Sequence, residues 1–257
     1  MKIIYVVDET SFFLPNILKE LINQKKNLHK LVIIIKKVPK KACIKSYLIN
    51  NFYYLNFFEL LKLSLLTIQN NFIKFFRVSY FTNNFYSIEQ LCIKKKINYI
   101  KIYDDINKSS TVEIIKKIKA DVLVNMGSHL LKKNILNSTK YGCINRHTSE
   151  LPKYKGLLPV FYALKNKDDH VAISFHKINS KIDEGKILSQ KKILVAKEDT
   201  VFSIYAKTSE ESSAACNDAL NNLIKNKIIE NNHKASYFSW PNKDDWKIFR
   251  ANNRKFI

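Results

Sequence analysis

The first 35 residues of this chain show the pattern of a strand, a helix and a second strand. The segments 2–7 and 31–35 are short, apolar and rich in β-branched residues, which is typical of buried strands. Between them, Leu14–Ile22 carries apolar residues at helical spacing. A helical crossover between two strands of one sheet joins them in parallel. The pattern therefore predicts an α/β fold with a mostly parallel, twisted sheet flanked by helices.

The later segments extend this pattern across the chain. Segment 36–56 is an exception, because it is basic, then rich in Asn and Tyr, and only weakly periodic. Elsewhere we predict strands at 99–103, 121–125, 143–146, 171–178 and 187–195, and helices at 87–95, 111–118 (capped by the serines before it), 130–136, 159–165 and 200–223.

Segment 57–75 predicts a helix with a wide apolar stripe. The width of the stripe favours packing against the rest of the domain, and a peripheral membrane contact is the alternative. Glu59, Lys62 and Lys74 interrupt this apolar region, so no charge-free run approaches the roughly 18–20 residues that a spanning helix needs. The stripe consists of Phe57, Phe58, Leu61, Leu65, Ile68 and Phe72.

The turn after the first strand argues against a phosphate-binding loop. It reads VVDETSFF, without glycine and with the acidic residues Asp8 and Glu9. A backbone that approaches phosphates closely needs glycine there, and two carboxylates repel an anion. We therefore expect neither a dinucleotide site nor a P-loop at this turn.

The net charge of the chain is strongly positive. It is +22, from 44 Lys and Arg against 22 Asp and Glu. Such an excess attracts nucleic acid, a membrane surface or a phosphorylated substrate. However, the lysines are scattered in ones and twos and arginine is scarce, which favours a solvated basic surface. The sequence shows no zinc finger or RNA-binding motif.

The cysteines predict a reducing environment. Cys43, Cys92, Cys143 and Cys216 are widely separated and form no C-x-x-C pair, which argues against a zinc site of that type. Four cysteines allow two disulfides in a secreted chain. The apolar run at the N-terminus is too short for a secretory signal, and acidic residues follow it. We therefore expect reduced thiols and a cytoplasmic protein.

The stretch 127–185 contains all four glycines of the chain, and it also holds the candidate catalytic residues. In the predicted strand 143–146 and its continuation, Asn145 and His147 point to one face and Arg146 to the other. A loop then brings Asp183 to the end of the next strand. An amide donor, an imidazole that can act as acid or base, and a carboxylate are thus predicted to meet.

The residues 145–156 read N-R-H-T-S-E-L-P-K-Y-K-G, and Asp183-Glu184-Gly185 follows downstream. This two-part motif resembles the hallmark of the formyltransferases that use 10-formyltetrahydrofolate. That family includes methionyl-tRNA formyltransferase, glycinamide ribonucleotide formyltransferase and the sugar-nucleotide N-formyltransferases. The element order resembles the family from residue 1 to about residue 225. The resemblance implies a Rossmann-like formyltransferase fold and an N-formyltransferase activity of one-carbon metabolism.

The resemblance also implies a role for each candidate catalytic residue. In the family, a formyl group passes from the folate to an amine through a tetrahedral oxyanion. Asn145 would donate its amide to the formyl oxygen, and His147 would take or relay the proton of the amine. Asp183 would hold the imidazole and accept a proton through a water molecule. This chemistry requires no metal.

A site for the folate donor follows from the same resemblance. In the family the pterin lies against the loop before the Asn-x-His strand, here 126–130, and against the loop that carries the aspartate, here 178–183. The first loop follows a predicted strand, which is where open α/β sheets bind ligands. His129 is equally well explained as a helix-capping surface residue. The candidate folate contacts are Met126, Ser128, His129, Leu130, Ile178, Asn179 and Ile182.

Several departures from the family pattern bear on the acceptor. Arg146 and Glu150 replace apolar residues, and we expect Arg146 to pair with Glu150 or with the tail. The glycine-rich phosphate loop of the ribonucleotide enzyme is missing at 8–12, and only about 30 residues follow the last long helix instead of the barrel of the tRNA enzyme. The segment ASYFSWPNKDDW faintly resembles one that follows the catalytic domain in the tRNA and aminosugar enzymes.

These departures favour a nucleotide-linked aminosugar as the small-molecule amine acceptor. Initiator tRNA is the alternative, because the net charge of +22 suits an RNA. From other classes, a folate or nucleic-acid binding protein without activity and a formyl hydrolase stay open.

We divide the chain into a catalytic domain at 1–225 and a short C-terminal extension at 226–257. The extension is aromatic and basic. We expect it to pack back onto the sheet domain, with the stacking of a base on Trp240 or Trp246 as the alternative.

Overall fold

The structure is a computed structural model, which describes residues 1–10, 12–23, 28–36, 54–76 and 84–257. Cys43 and residues 37–53 of the weakly periodic segment lie outside these ranges. The described strands are β1 (Lys2–Asp8), β2 (Leu28–Ile35), β3 (Tyr99–Ile102), β4 (Val122–Asn125), β5 (Cys143–His147), β6 (Lys155–Gly156), β7 (His170–Lys177), β8 (Ile187–Leu194) and β9 (Tyr237–Phe238). The described helices are α1 (Leu14–Ile22), α2 (Phe57–Phe75), α3 (Ile88–Lys95), α4 (Ser109–Ile118), α5 (Lys133–Leu136), α6 (Pro159–Lys165), α7 (Val201–Ile224) and α8 (Lys243–Ala251).

Seven of these strands form one sheet in the order β3-β2-β1-β4-β5-β7-β8. The pairs from β3 to β5 are all parallel, while β7 runs antiparallel to both β5 and β8. The strand β1 lies inside the sheet between β2 and β4, and its residues from Ile3 to Val7 are buried on both faces. The predicted mostly parallel α/β sheet is therefore confirmed. The strands β2 and β3 lie on one side of β1, and the next strand in the chain, β4, lies on the other side. A crevice is expected where the strand order reverses in this way, at the carboxyl ends of β1 and β4.

The alternation of side chains divides the core into two layers. In β1, Tyr5 and Val7 face a cluster that includes residues of α1 and α7, and Ile4 faces a second cluster that includes residues of α4 and α5. In β5, Ile144 belongs to the first cluster and Cys143 to the second. Because faces alternate along a strand, Asn145 and His147 share the face of Cys143.

Two helices begin later or differently than predicted. The helix predicted at 130–136 is reduced to α5, which spans only Lys133–Leu136. The serines expected to cap α4 lie in its first turn, and its N-cap residue is Lys108, which makes no side-chain cap. A capping residue lies just before the first helical residue, whereas these serines have helical backbone angles and are part of the helix.

The helix predicted at 57–75 is confirmed as α2, but the prediction that its apolar stripe packs against the domain is wrong. The residues of α2 that are buried are the polar Glu59 and Asn70. Glu59 is drawn inward because its carboxylate pairs with the guanidinium of Arg250. The stripe faces solvent instead, and its exposed residues are Phe57, Phe58, Leu61, Leu65, Ile68 and Phe72.

The tail packs onto the sheet domain through β9 and α8. The strand β9 pairs in parallel with β6, with Tyr237 opposite Lys155 and Phe238 opposite Gly156. In α8, Phe249 is fully buried and stacks on Phe161 of α6 with 4.5 Å between ring centroids. The predicted boundary between the two parts at residue 225 stays a prediction.

Two further predictions, on membrane-spanning helices and on free thiols, can be compared with the described residues. None of the helices there has the length and the apolar character to cross a bilayer. The described cysteines Cys92, Cys143 and Cys216 are buried free thiols. Burial raises the pKa of the Cys216 thiol to about 12, so this thiol is protonated and unreactive at neutral pH.

We expect Phe249→Ala to lower the free energy of unfolding by about 3–5 kcal/mol, since it removes a fully buried ring from the contact between tail and domain. Urea denaturation measures this change. The matched control is Ile248→Ala in the same helix, where the side chain is 47% exposed, and we expect a cost below about 1 kcal/mol. Equal costs for the two variants would show that the tail does not pack as described.

Candidate active site

The structure brings Asn145, His147 and Asp183 together at the carboxyl end of β5. His147 Nδ1 lies 3.6 Å from one carboxylate oxygen of Asp183, and Asn145 Nδ2 lies 3.5 Å from the other. Asn145 and His147 are alternate residues of β5, while Asp183 comes from the loop after β7. The predicted grouping of an amide, an imidazole and a carboxylate is thus present in the geometry.

His147 is held with one ring nitrogen free to face Asp183. Its Nε2–H donates to the backbone carbonyl oxygen of Tyr154 at 2.9 Å, since a carbonyl can only accept. In the neutral ring, Nδ1 then carries a lone pair on the side of Asp183. Burial lowers the pKa of His147 from its ordinary value of 6.5, and the charge of Asp183 and the Tyr154 carbonyl oppose this effect. At neutral pH the ring is therefore a neutral base.

Asp183 is an ionised carboxylate at the centre of the group. Burial, the largest effect, raises the pKa of Asp183, but the contact with His176, the charge of His147 and the backbone N–H of Gly156 together lower it to about 2. The Gly156 N–H donates to Oδ2 at 3.0 Å. The backbone of Asp183 has a φ of 51°, a left-handed conformation that aspartate tolerates better than most residues. A carboxylate with this pKa stabilises a positive charge and is a poor acceptor for a proton at neutral pH.

Asn145 is oriented by a second asparagine, Asn125 at the end of β4. The Asn125 Nδ2 donates to Asn145 Oδ1 at 2.9 Å and to the carbonyl oxygen of Gly127 at 3.1 Å. The carbonyl side of the Asn145 amide is therefore occupied, and its NH₂ group points towards Asp183 and His176. Its distances there, 3.5 Å and 3.3 Å, are long for hydrogen bonds. An N–H of Asn145 is thus available to a stronger acceptor.

His176 completes the group from β7. Its Nδ1–H donates to the carbonyl oxygen of Lys177 at 2.9 Å, so Nε2 faces the site, 3.3 Å from Asn145 Nδ2 and 3.4 Å from Asp183 Oδ1. The neutral ring accepts from Asn145, and the protonated ring donates to Asp183. His176 thereby contacts both Asn145 and Asp183 and helps to position them.

Sequence reasoning assigned no role to Asn125 or His176. Both are polar residues at the ends of otherwise apolar strands, and this was the available signal. In the sheet, Asn125 pairs with Asn145, and Asn145 pairs with His176. The three side chains therefore form a row across β4, β5 and β7.

The loop 126–130 is tied to the end of β1. The Ser128 N–H donates to Asp8 Oδ2 at 2.8 Å, and His129 Nδ1 lies 3.5 Å from Asp8 Oδ1. Met126 is buried in the first core cluster, on the opposite face from Asn145. Leu130 is exposed, and its side chain is free to contact a ligand.

The loop 178–183 contributes three further folate candidates. The Ile178 N–H donates to the carbonyl oxygen of Cys143 at 2.9 Å, and Asn179 Oδ1 accepts from the N–H of Lys181. These two residues therefore shape the loop, whereas Ile182 is exposed. The folate contacts of both loops stay predictions.

The expected pairing of Arg146 with Glu150 or with the tail is wrong. The guanidinium of Arg146 donates to three hydroxyl groups: those of Thr208 and Ser212 on α7, and that of Thr148. Burial lowers the pKa of Arg146 to about 10, so it stays charged at neutral pH. Arg146 pairs with these hydroxyl groups because side chains alternate along a strand, and this alternation directs Arg146 towards α7.

Glu150 is instead the centre of its own ion pairs. Its carboxylate contacts Lys192 on β8, His170 on β7 and His233 in the tail, at 2.9, 3.0 and 3.2 Å. Burial, the largest effect, raises the pKa of Glu150, but Lys192 and His170 together lower it to about 2. Glu150 thus fixes the segment after β5 to three other parts of the chain.

The residues that the structure describes contain no group of three or more His, Cys, Asp or Glu side chains arranged to hold a metal ion.

Comparison with known families identifies the same region. The model of the formyl transferase family, "Formyl transferase", matches residues 89–220, just over half of the chain. This match includes β5 and the loop that carries Asp183, and it ends within α7.

Curated relatives share this part of the sequence. The chain is 33% identical over 147 residues to the bifunctional polymyxin resistance protein ArnA of Wigglesworthia glossinidia brevipalpis, which covers 57% of this chain and 22% of that protein. It is 28% identical over 150 residues to the methionyl-tRNA formyltransferase of Agathobacter rectalis, covering 55% of this chain and 48% of the relative. The chain thus spans about half the length of these relatives or less.

Solved structures share the fold. A glycinamide ribonucleotide transformylase from Symbiobacterium toebii superposes with a TM-score of 0.61 at 14% identity, over 91% of this chain and 92% of that one. An N-formyltransferase from Helicobacter canadensis, in complex with folinic acid and dTDP-3-aminofucose, gives a TM-score of 0.55 at 17% identity, over 95% and 72%. At these identities the likeness concerns the fold alone.

We expect the imidazole of His147 to titrate below pH 6.5, because burial lowers its pKa. Asp183→Asn should move the midpoint lower still, because it removes the charge that raises this pKa. NMR titration of the ring measures both values without any substrate. The matched control is Asp218→Asn, an exposed carboxylate on α7 that pairs with Lys191, which should leave the midpoint unchanged. A higher midpoint in Asp183→Asn would contradict the arrangement.

We expect Gly185→Ala to destabilise the chain by about 3 kcal/mol or more, because a Cβ at Gly185 would lie 1.6 Å from the carbonyl oxygen of Lys177. The control is Gly142→Ala, where φ is +83° but the nearest atom lies 3.6 Å away, and strain alone should cost about 1–2 kcal/mol. Thermal denaturation compares the two variants. A smaller loss for Gly185→Ala than for Gly142→Ala would refute the close approach.

Proposed function

This chain belongs to the formyl transferase family, and on that premise we propose that it transfers a formyl group from 10-formyltetrahydrofolate to a primary amine. The observation that carries the proposal is the geometry of Asn145, His147 and Asp183 at the carboxyl end of β5. A donor, a neutral base and an ionised carboxylate in one small volume suit the attack of an amine on a carbonyl carbon. 

The residues around this group fit a folate donor. When bound, 10-formyltetrahydrofolate supplies the carbonyl carbon that the amine attacks. The exposed apolar side chains of Leu130 and Ile182 would contact its ring system, and the backbone of the loops 126–130 and 178–183 would offer polar groups. The N–H groups of Asn145 are held by long contacts only, so one of them would bind the formyl oxygen and stabilise the negative charge that develops there.

His147 would accept the proton of the amine at Nδ1. Its Nε2–H is fixed on Tyr154, so the incoming proton has only one place on the ring. The resulting imidazolium would lie against the carboxylate of Asp183 and would return the proton to the folate nitrogen as its bond to the formyl carbon breaks. Because the pKa of Asp183 is about 2, we assign Asp183 the stabilisation of this charge, rather than the acceptance of the proton.

For the acceptor, we propose an amino group of a nucleotide-linked aminosugar. At the end of β1, where the ribonucleotide enzyme would need a phosphate loop, this chain has the carboxylates of Asp8 and Glu9. Asp8 Oδ1 is a buried oxygen that receives no hydrogen bond in the described part of the chain, with His129 Nδ1 3.5 Å away, and a carboxylate at this point repels a phosphate. The H. canadensis structure, whose fold is similar, was solved with an aminosugar nucleotide.

Initiator tRNA is the second candidate acceptor. It is favoured by the net charge of +22 and by the similarity to a methionyl-tRNA formyltransferase. The chain covers 48% of that relative.

The test follows the release of tetrahydrofolate from 10-formyltetrahydrofolate in the presence of aminosugar nucleotides or charged initiator tRNA. We expect release only with the right amine. Asn145→Ala and His147→Ala should each lower the rate at least about 100-fold, as expected for the loss of an oxyanion donor or a general base. The matched control is His29→Ala near the amino end of β2, whereas the candidate site lies at the carboxyl end of β5. This variant should keep the activity of the unmodified chain.

Other outcomes would select other functions. Release of tetrahydrofolate and formate without any amine would identify a formyl hydrolase. Folate binding in calorimetry without turnover would identify a non-catalytic binder, and salt-sensitive RNA binding without folate affinity would identify a nucleic-acid binding protein. Full activity of His147→Ala would exclude the proposed mechanism.

A further inference from the structure

The helix α2 presents a broad apolar face to solvent. Along its 19 residues, and at the residue that ends it, nine large apolar side chains are between 37% and 80% exposed. A contiguous exposed apolar face of this kind marks an interaction site more often than a random surface. These side chains are Phe57, Phe58, Leu60, Leu61, Leu65, Ile68, Phe72, Phe75 and Phe76.

The polarity of α2 is reversed relative to an ordinary surface helix. Such a helix turns its apolar stripe to the core and its polar residues to water. In α2 the buried residues are Glu59 and Asn70, most large apolar residues face outward, and Leu63 is partly buried against the first core cluster. The exposed face is therefore the side on which the sequence has placed its hydrophobic residues.

Polar contacts hold the helix in this orientation at both ends. At the N-terminus, Asn56 forms a capping box with Glu59, and Glu59 also accepts from Arg250 and from the N–H of Phe256 at 2.7 Å. At the C-terminus, Gln90 Nε2 on α3 donates to the carbonyl oxygen of Lys74 at 2.8 Å. The apolar face is thus presented by a helix that is fixed to the domain.

The charge of the helix indicates what covers this face. Glu59 is the only carboxylate in α2 and is buried against Arg250, so the remaining charges of the helix are two cations: Lys62, which is exposed, and Lys74, whose side chain is 40% exposed and lies 4.0 Å from Glu9. The whole chain carries +22. A second copy of the chain would bring the same positive charge and be repelled, whereas a surface of anionic lipids attracts it.

We infer that α2 is a membrane-surface helix that lies in the plane of an anionic lipid interface. A helix of this length is about 28 Å long, and its phenylalanines at both ends would enter the boundary between headgroups and acyl chains. The helix does not cross the bilayer, since no described helix is apolar enough to do so. This inference is independent of the proposed formyl transfer.

The test measures cosedimentation of the full chain with vesicles of phosphatidylglycerol and phosphatidylcholine, and with vesicles of phosphatidylcholine alone. We expect binding to the anionic vesicles, a fall in binding as salt is added, and weaker binding to phosphatidylcholine. The double variant Leu65→Gln/Phe72→Gln should lose at least about tenfold in affinity, because two apolar side chains no longer enter the interface.

The matched control is Leu194→Gln on β8, where the leucine is 79% exposed and belongs to a different element from α2. It should bind like the unmodified chain, and circular dichroism should show that all variants keep the fold. Equal binding of the double variant and the control, or no binding to anionic vesicles, would overturn the inference. Light scattering on the same samples tests whether a second copy of the chain binds this face instead. If the unmodified chain is a dimer that does not bind vesicles, and the double variant is a monomer, the face belongs to a second copy.

Discussion

The carboxylate of Asp183 joins parts of the chain that are far apart in sequence. One oxygen accepts the N–H of Gly156, in β6, and faces His147, in β5; the other faces Asn145 and His176. An ionised carboxylate buried in this way is stable only while these donors and charges surround it. The loop after β7, the strand β5 and the segment that contains β6 are therefore constrained by one another. If Asp183 moves, each of them loses a polar partner.

The pleat of β5 extends this constraint to the other side of the sheet. Asn145 and His147 project to the candidate site, and Arg146 between them projects to hydroxyl groups on α7. Among the described residues no carboxylate pairs with the partly buried Arg146, so its guanidinium depends on the hydrogen bonds that it makes. The orientation of β5 is thus fixed from both faces, by the row of polar side chains on one and by Arg146 on the other.

The sequence predicted local features well and long-range ones poorly. The side-chain alternation along β5 correctly predicted that Asn145 and His147 share one face, because alternation depends only on residues adjacent in sequence. The roles of Asn125 and His176 depend on which strands pair and in which register, and no local pattern carries that information. The stripe of α2 was assigned to the core because an apolar stripe ordinarily faces inward. The ion pair between Glu59 and Arg250, which are 191 residues apart, turned it outward.

The pairing of β6 with β9 has a consequence for biosynthesis. The N–H groups of Lys155 and Leu157 donate to the carbonyl oxygens of Ser236 and Phe238, and the same short segment holds Asp183 through Gly156. During translation, these donors emerge from the ribosome about 80 residues before their acceptors. The nascent chain can therefore form its central sheet early, but the segment behind the candidate site acquires its final support only once β9 has left the exit tunnel.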